Sequence, residues 1–195
     1  MALRTFIAMD IDDATRRRLA AVAARAETGP ARINWVAAAN LHVTIKFLGD
    51  VDDSAVRDVC DAAADAAGGV EPFDFEVLGL LAVPPRGRLR MVWADVADPT
   101  GRLADLAARL EDELAELGYP RERRPFRPHV TLARIRSARD PDRLRAAVAP
   151  WADEAFGTPR AEALTVYASE LTPRGPLYTP LARPALGGPP ETDDT

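Results

Sequence analysis

The chain has 195 residues, a net charge of −5 at pH 7, 47% hydrophobic residues and 28% charged residues. This composition is typical of a globular domain with its own core. It excludes disordered and fibrous chains, and also membrane-spanning helices, which need roughly 18–20 consecutive apolar residues. The negative charge argues against binding long nucleic acid through overall charge but leaves room for a local basic cleft.

Two further features concern the compartment. The first residues lack the basic and apolar regions of a signal peptide. Cys60 is the single cysteine of the chain, so an internal disulfide is impossible, which fits a reducing compartment. We therefore expect a cytoplasmic monomer with no membrane partner.

Alternation of apolar and polar residues predicts strands, and apolar residues at helical spacing predict helices. The first half of the chain is predicted to contain a strand at 3–11, a helix from Asp12 or Asp13 to Gly29-Pro30, strands at 33–36 and 41–47, and a helix at 53–67; Gly49-Asp50 ends the strand at 41–47. Strands are predicted next at 73–83 and 90–97, followed by a helix from Asp98-Pro99 to Gly118 with leucines at 103, 106, 110, 114 and 117. The last predicted elements are a strand at 130–135, a helix that begins at Asp140-Pro141, and strands at 161–171 and 177–181. Strands and helices do not alternate strictly, which favours an antiparallel α+β fold over a doubly wound one.

The chain contains two histidines, and each begins a similar tetrapeptide. The two copies are His42-Val43-Thr44-Ile45 and His129-Val130-Thr131-Leu132. Chance rarely places a threonine two residues after both histidines of a chain, so the doubled motif indicates a shared function.

Strand geometry places each histidine on the same face as its threonine, because residues i and i+2 of a strand point the same way. In the first copy Val43, Ile45 and Phe47 then face the core. Lys46 shares the face of His42, where it lies near the substrate or is merely solvated at the rim.

Such a pair of strands has the parts that in-line displacement at a phosphodiester needs. Near neutral pH one imidazole can be neutral and accept a proton, while the other is protonated and donates one. The hydroxyls of Thr44 and Thr131 can donate hydrogen bonds to the oxygens that gain charge.

Other interpretations of the histidines remain open. A single histidine beside apolar residues is usually a satisfied structural residue, although packing has no need to repeat the threonine. A zinc site is disfavoured because there is no cysteine cluster and no His-x-x-x-His spacing, whereas carboxylates could complete a site for a harder ion. We expect neither metal nor cofactor.

The residues around both motifs resemble a known family. Asn40 to Gly49 and Arg127 to Arg134 are similar to the paired motifs of the two-histidine phosphoesterase superfamily. Together with Trp35-Val36 upstream, they are most similar to the bacterial and archaeal RNA 2′,3′-cyclic phosphodiesterases, also called 2′-5′ RNA ligases. The resemblance implies a bilobal fold in which two antiparallel sheets line a central cleft with helices outside. It also implies a single two-lobed domain over 1–185 with one motif per lobe, and we expect a disordered tail at 186–195.

The resemblance further implies a reaction and its catalytic residues. The family opens a 2′,3′-cyclic phosphate at an RNA end to a 2′-phosphate, and it can join tRNA halves through a 2′-5′ bond without ATP or metal. By position in the motif, His42 is the proton donor and His129 the proton acceptor. Thr44 and Thr131 contact the phosphate oxygens.

Four further residues are candidates for substrate binding. Arg134 could neutralise the phosphate, but it falls on the wrong face of a regular strand and reaches the substrate only if the strand bulges or ends first. Phe47 and Phe126 could stack on a base, although the strand parity of Phe47 favours packing in the core. Arg127 belongs to one of two arginine clusters that could hold an RNA backbone or simply form solvated loops. The clusters are Arg86, Arg88 and Arg90, and Arg121, Arg123, Arg124 and Arg127.

Two alternative functions remain. The same chemistry could act on a small nucleotide 2′,3′-cyclic phosphate, which would not need the arginine clusters. A nucleotide- or RNA-end-binding module without turnover would not need a matched acid and base.

Overall fold

The structure is a computed structural model and describes residues 2–26, 32–137, 141–173 and 175–188. Its strands are β1 Ala2–Asp10, β2 Arg32–Trp35, β3 His42–Asp52, β4 Phe73–Asp74, β5 Glu76–Val83, β6 Met91–Ala97, β7 His129–Ser137, β8 Ala155–Gly157, β9 Arg160–Ala161, β10 Thr165–Thr172 and β11 Gly175–Ala182, and its helices are α1 Asp13–Ala26, α2 Val56–Gly68, α3 Arg102–Glu116 and α4 Pro141–Val148. None of the described helices is long and apolar enough to cross a membrane. The predicted end of the first helix at Gly29-Pro30 lies outside the described residues.

The predicted antiparallel α+β fold is confirmed. The main sheet has the strand order β11-β10-β1-β3-β7-β6-β5-β8, with β2 pairing with β7. Four of these strands, β11, β10, β1 and β3, form a first half-sheet, and β7, β6, β5 and β8 form a second. The halves meet where Val43 of β3 pairs antiparallel with Val130 of β7, so the two motif strands are neighbours.

The helices are shared between the half-sheets. Helices α2 and α3 contact each other, and α3 contacts β3 of the first half-sheet. Helices α1 and α4 contact β8 and β5 of the second. The first half-sheet is therefore contacted by α3, on which α2 packs, and the second by α1 and α4. The valines of both motifs are fully buried in the core.

Helix α3 confirms most of the predicted leucine stripe. Leu103, Leu106, Leu110 and Leu114 are buried in the core. Leu117 was predicted to continue the stripe, but it is 43% exposed. The helix ends at Glu116, so Leu117 no longer follows the helical face.

The predicted end of the third strand at Gly49-Asp50 is wrong, because β3 continues to Asp52. Pairing with β1 shifts from Phe6–Phe47 to Thr5–Gly49, which leaves Leu48 as an extra residue in β3. Gly49 has φ of +78°, a conformation that glycine adopts without a steric penalty. The glycine therefore accommodates a bulge within the strand.

At the other end of the chain, the predicted tail boundary is too early. Leu186 is buried in the core. The N–H of Gly187 donates to the carbonyl of Val70 at 2.8 Å and of Ala67 at 3.2 Å. Leu186 and Gly187 therefore belong to the fold. The rest of the predicted tail, residues 189–195, lies outside the described residues.

Candidate active site

The two motif strands carry a bulge at the same motif position. In β3 the pairing with β1 shifts between Ile7–Lys46 and Ala8–Thr44, so Ile45 is an extra residue. In β7 the pairing with β6 shifts between Val92–Ala133 and Trp93–Thr131, so Leu132 is the extra residue. Each bulge thus immediately follows the motif threonine and changes the strand parity beyond it.

The bulge in β7 brings Arg134 to the same face of the sheet as His129 and Thr131, which we call the histidine face. Leu132 and Ala133 are both buried in the core, so the next residue turns outward and Arg134 is exposed. The sequence predicted that Arg134 would reach this face only if the strand bulged or ended first, and β7 bulges at Leu132.

The bulge in β3 reverses two predictions. Phe47 was expected in the core, but it is 45% exposed and pairs with Phe6, whose ring lies against His42 on the histidine face. The guanidinium of Arg4 lies 4.8 Å from the Phe47 ring centre. Lys46 was expected beside His42, but it is buried on the core face. The extra residue Ile45 shifts both side chains to the face opposite the one that regular alternation predicts.

The register between β3 and β7 places the four motif side chains together. Val43 and Val130 pair in the core, so the residues on either side of them point to the histidine face. In this antiparallel register His42 lies beside Thr131, and Thr44 lies beside His129. The two imidazoles are diagonal neighbours, which on adjacent strands are roughly 7–8 Å apart at the backbone.

Both imidazoles are oriented in the same way. The Nδ1–H of His42 donates to the carbonyl of Asn40 at 2.8 Å, and that of His129 donates to the carbonyl of Arg127 at 2.9 Å. Each acceptor is two residues before its histidine, and each bond occupies Nδ1, so that Nε2 is the ring nitrogen directed towards other groups. Nε2 of His42 lies 3.0 Å from the hydroxyl oxygen of Thr44, which donates to a neutral ring and accepts from a protonated one.

His42 lies in an aromatic setting with a nearby carboxylate. Its ring stacks on Phe6 at 5.0 Å and meets Tyr178 edge-on at 5.6 Å. Asp10 pairs with His42 across β1 and β3. Tyr167 donates its hydroxyl to Asp10 at 2.8 Å and Thr165 donates at 3.1 Å. Burial, together with the negative charge of Asp10, raises the pKa of Tyr167 to about 12, so the phenol remains a donor.

His129 has a cationic setting instead. Its ring lies 4.2 Å from that of Trp93, and the guanidinium of Arg127 lies 5.3 Å from the centre of the same indole. Arg127 also approaches Asp95 at 3.6 Å, and Asp95 pairs with His129 across β6 and β7.

Burial lowers the pKa of both histidines from its usual value, but the neighbouring charges differ. At His42 the hydrogen bond to Asn40 and then the charge of Asp10 raise the pKa, while Arg134 and Arg16 lower it. At His129 the hydrogen bond to the backbone carbonyl of Arg127 raises the pKa. The guanidinium groups of Arg127 and Arg134 lower it, and the carboxylate of Asp95 raises it. Arg134 therefore lowers the pKa of both imidazoles. The neighbouring charge with the largest effect is the carboxylate of Asp10 at His42 and the guanidinium of Arg127 at His129.

A pocket of about 350 Å³ opens beside His42. Besides the imidazole it is lined by Asp10, Ala39, Asn40, Leu41, Tyr167, Leu177, Tyr178 and Pro180. Asn40 is fixed there, because its side-chain amide donates to the carbonyl of Pro176 at 2.9 Å. The volume lies in the range of small-ligand sites, and the aromatic walls suit a planar ring.

The remaining predicted residues lie elsewhere. Phe126 is partly buried and packs against the hydrophobic core. Arg88 donates to the carbonyl of Arg136 at 3.1 Å, so the first arginine cluster lies near the far end of β7. Among the described residues, no group of three or more His, Cys, Asp or Glu side chains is arranged to hold a metal ion.

Sequence reasoning missed the residues that surround each imidazole. Asp10, Thr165 and Tyr167 meet only because β1 pairs with both β3 and β10. No local pattern marks such a cluster. The sequence predicts a strand at 33–36, and the resemblance singles out Trp35-Val36, but neither indicates the contact that the N–H of Val36 makes with the carbonyl of the bulge residue Leu132 at 2.8 Å.

Comparison with known proteins identifies the family. Residues 9–93 and 95–178 match the family model of the LigT-like phosphoesterases. The chain belongs to the LigT-like phosphoesterase family. The resemblance of the two motifs is thereby confirmed, and each matched segment of this phosphoesterase contains one of them.

Relatives of this phosphoesterase agree with the assignment. It is 31% identical over 179 residues to an RNA 2′,3′-cyclic phosphodiesterase of Methanothermobacter thermautotrophicus, covering 92% of this chain and 96% of the relative. It is 33% identical to the protein of the same name in Thermus thermophilus, covering 95% and 91%. A crystal structure of E. coli LigT complexed with 3′-AMP matches with a TM-score of 0.79 at 27% identity, covering 95% of this chain and 99% of that one.

Proposed function

We propose that this phosphoesterase opens the 2′,3′-cyclic phosphate at an RNA end to a 2′-phosphate by acid–base catalysis, with His42 as proton donor and His129 as proton acceptor. One observation carries the proposal. The two motif strands are adjacent in antiparallel register, so two similarly oriented imidazoles flank one position on the histidine face. The names of the relatives provide the substrate class.

The proposed reaction uses one proton transfer at each histidine. Nε2 of His129 accepts a proton from water as its oxygen attacks phosphorus. The bond from phosphorus to the 3′-oxygen breaks on the opposite side, and Nε2–H of His42 protonates the departing oxygen. A positioned acid or base of this kind contributes roughly 10²–10⁴-fold.

The surrounding charges support this division of roles. Burial lowers the pKa of both rings, which opposes protonation. The carboxylate of Asp10 raises the pKa of His42 again, whereas the guanidinium of Arg127 lowers that of His129 further. The neighbouring charges therefore favour the proton on His42 over His129, whereas the deeper burial of the His42 ring opposes it.

Three other side chains have proposed roles at the phosphate. Thr44 and Thr131 donate hydrogen bonds to the non-bridging oxygens, since each lies beside the histidine of the other strand. Arg134 neutralises the charge that builds up on them, and its effect on the pKa of both histidines supports a position between the two.

The pocket beside His42 would accept the terminal nucleoside. The leaving 3′-oxygen belongs to the same ribose as the cyclic phosphate, so that ribose must lie on the side of the proton donor. Tyr178 and the exposed Phe47 offer rings on which a base can stack. In E. coli LigT a 3′-AMP is bound, a nucleotide of the size that this pocket suits.

Ligation would be the same displacement with a different nucleophile. The 5′-hydroxyl of a second RNA strand would replace water at His129, the bond from phosphorus to the 3′-oxygen would break with the proton of His42, and a 2′-5′ bond would form. The same chemistry could act on small nucleotide 2′,3′-cyclic phosphates as the natural substrates, and neutralising the arginine clusters would then leave turnover intact. A binding module without turnover is the remaining alternative.

The deciding experiment incubates the protein in EDTA with a short RNA that ends in a 2′,3′-cyclic phosphate and separates the 2′- and 3′-phosphate products. We expect the 2′-phosphate, and its loss in His42→Ala and in His129→Ala. Arg57→Gln is the matched control, because it alters an exposed ion pair on α2. A 3′-phosphate product would refute the proposed leaving oxygen, and binding without any product would favour the binding module.

A further inference from the structure

Lys46 is the only described residue of the motif strands whose charge is buried. Its side chain is 3% exposed, and Nζ donates to Oε1 of Glu111 on α3 at 2.7 Å. Nζ also donates to the backbone carbonyl of Pro120 at 2.8 Å. A buried ammonium is costly unless it is paired and hydrogen-bonded in this way.

The strand itself does not require a lysine at this position. Lys46 follows the bulge in β3, and the equivalent residue in β7 is Ala133, which is fully buried. Because both strands share the bulge, alanine satisfies the same backbone geometry. The reason for the lysine therefore lies in the groups that it contacts.

Those groups fix the segment that connects α3 with β7. The second carboxylate oxygen of Glu111 accepts the backbone N–H of Glu122 at 3.1 Å, so Lys46 and Glu111 together hold the backbone at Pro120 and Glu122. We call residues 120–127 the arginine loop, because Arg121, Arg123, Arg124 and Arg127 are all exposed on it. The loop ends two residues before His129, and Arg127 lies over Trp93 beside that imidazole.

We propose that the buried Lys46–Glu111 pair is a clamp that holds the arginine loop in place to bind the backbone phosphates of an RNA chain beyond its cyclic end. The inference rests on the proposed function and extends it from the terminal nucleotide to a longer substrate. Four arginines and one acidic residue, Glu122, within seven residues (121–127) concentrate positive charge on a chain whose net charge is −5. Arg121 pairs with Asp112 and Arg127 approaches Asp95, so phosphate would compete with these two carboxylates. Arginine binds phosphate oxygens in bidentate geometry, which requires a fixed backbone.

The clamp makes the loop effective by limiting its motion. Without it, the segment after α3 would have to be ordered each time a substrate binds, at a cost in affinity. The loss would be largest for substrates that reach the loop. A mononucleotide does not reach Arg121, Arg123 or Arg124, so its KM should depend less on the clamp than the KM of an oligonucleotide, and the effect that both substrates share passes through Arg127 beside His129.

The test removes both charges at once, because removing one partner leaves the other buried and unpaired. Lys46→Met/Glu111→Leu is compared with the wild type on 2′,3′-cyclic AMP and on a single-stranded RNA of about eight nucleotides with a 2′,3′-cyclic end. We expect the ratio of the KM for the oligonucleotide to the KM for the mononucleotide to rise about tenfold. The salt dependence of kcat/KM for the oligonucleotide should become shallower by about one logarithmic unit of slope.

A second readout is independent of activity. Hydrogen exchange at the amide of Glu122 should accelerate, because its N–H loses the Glu111 acceptor. Asp105→Leu/Arg109→Met is the matched control, since it removes an exposed ion pair from the same helix, and it should change neither readout. Lys46→Met/Glu111→Gln, which also removes both charges but keeps one acceptor oxygen for the N–H of Glu122, should give an intermediate change if the first double variant does not fold.

Unchanged exchange at Glu122 would overturn the clamp. Equal losses on both substrates, or the same change in the control pair, would overturn its role in binding RNA. If the wild type turned over neither substrate, the proposed function and the RNA-binding role would fall together. Hydrogen exchange would still decide whether Lys46 and Glu111 hold the loop.

Discussion

The strands β3 and β7 share a backbone and differ in their charges. Both have a buried valine between histidine and threonine, a bulge after the threonine, and an imidazole whose Nδ1–H donates to the carbonyl two residues earlier. Beyond the bulge β3 has Lys46 and Phe47, whereas β7 has Ala133 and Arg134. The common features present two equivalent nitrogens, and the differences distinguish their proposed roles.

The bulges place the fifth residue after each histidine on the same face of the sheet as the histidine. In a regular strand this residue would lie on the opposite face from the histidine. One extra residue restores the parity, so Phe47 and Arg134 both return to the histidine face. One position thereby presents an aromatic ring and the other a guanidinium, which suits a nucleotide with its base on one side and its phosphate nearby.

The largest expected effect is the loss of activity on replacing either histidine, and a substrate with a different leaving group should distinguish the proton donor from the proton acceptor. On the normal cyclic phosphate we expect His42→Ala and His129→Ala each to lose roughly 10²–10⁴-fold in kcat. In a substrate with sulfur in place of the 3′-oxygen, the leaving group departs as a thiolate. It needs no proton donor, because a thiol has a pKa of about 8.5. On that substrate His42→Ala should recover to within about tenfold of the wild type, and His129→Ala should not.

The wild type on both substrates provides the reference for that comparison. Recovery of His129→Ala instead would exchange the two roles. Recovery of neither variant would mean that His42 does more than donate a proton to the leaving atom.

The next effect concerns the position after each bulge. Arg134→Gln should lower kcat/KM by roughly 10²–10³-fold, because it removes a donor from the charge that develops on the phosphate. Phe47→Leu, the equivalent change in the other strand, should mainly raise KM, since a stacked base is worth about 1–3 kcal/mol. Steady-state kinetics on the cyclic-ended RNA measures both. Equal effects on kcat would show that the two positions do not differ as proposed.

The sequence predicted the antiparallel fold, the four helices and the two motifs because these depend on local patterns. The periodicity of Leu103 to Leu114 and the repeated histidine–threonine spacing are both readable in a short window. It assigned Lys46 and Phe47 to the wrong faces because a bulge leaves no mark in the alternation of residues. Asp10 and Tyr167 were missed since their meeting depends on the pairing of strands distant in the chain.

The smallest expected effect tests the charges around the two imidazoles. The pH dependence of kcat/KM reports the pKa values of the free enzyme. Because burial lowers the pKa of both His42 and His129, the bell-shaped profile should have its maximum on the acidic side of 6.5. As the pH rises, activity is lost when the proton donor His42 loses its proton, and as the pH falls, when the base His129 gains one.

Two variants should move the two limbs of this profile separately. Asp10→Asn removes the carboxylate that raises the pKa of His42, so the alkaline limb should move to lower pH. Arg127→Gln removes the guanidinium that lowers the pKa of His129, so the acidic limb should move to higher pH. At its own optimum each variant should stay within about tenfold of the wild type, which corresponds to about 1.4 kcal/mol. If Asp10→Asn moved the acidic limb instead, the carboxylate would act on the base, and the charge difference between the two strands would support the opposite roles.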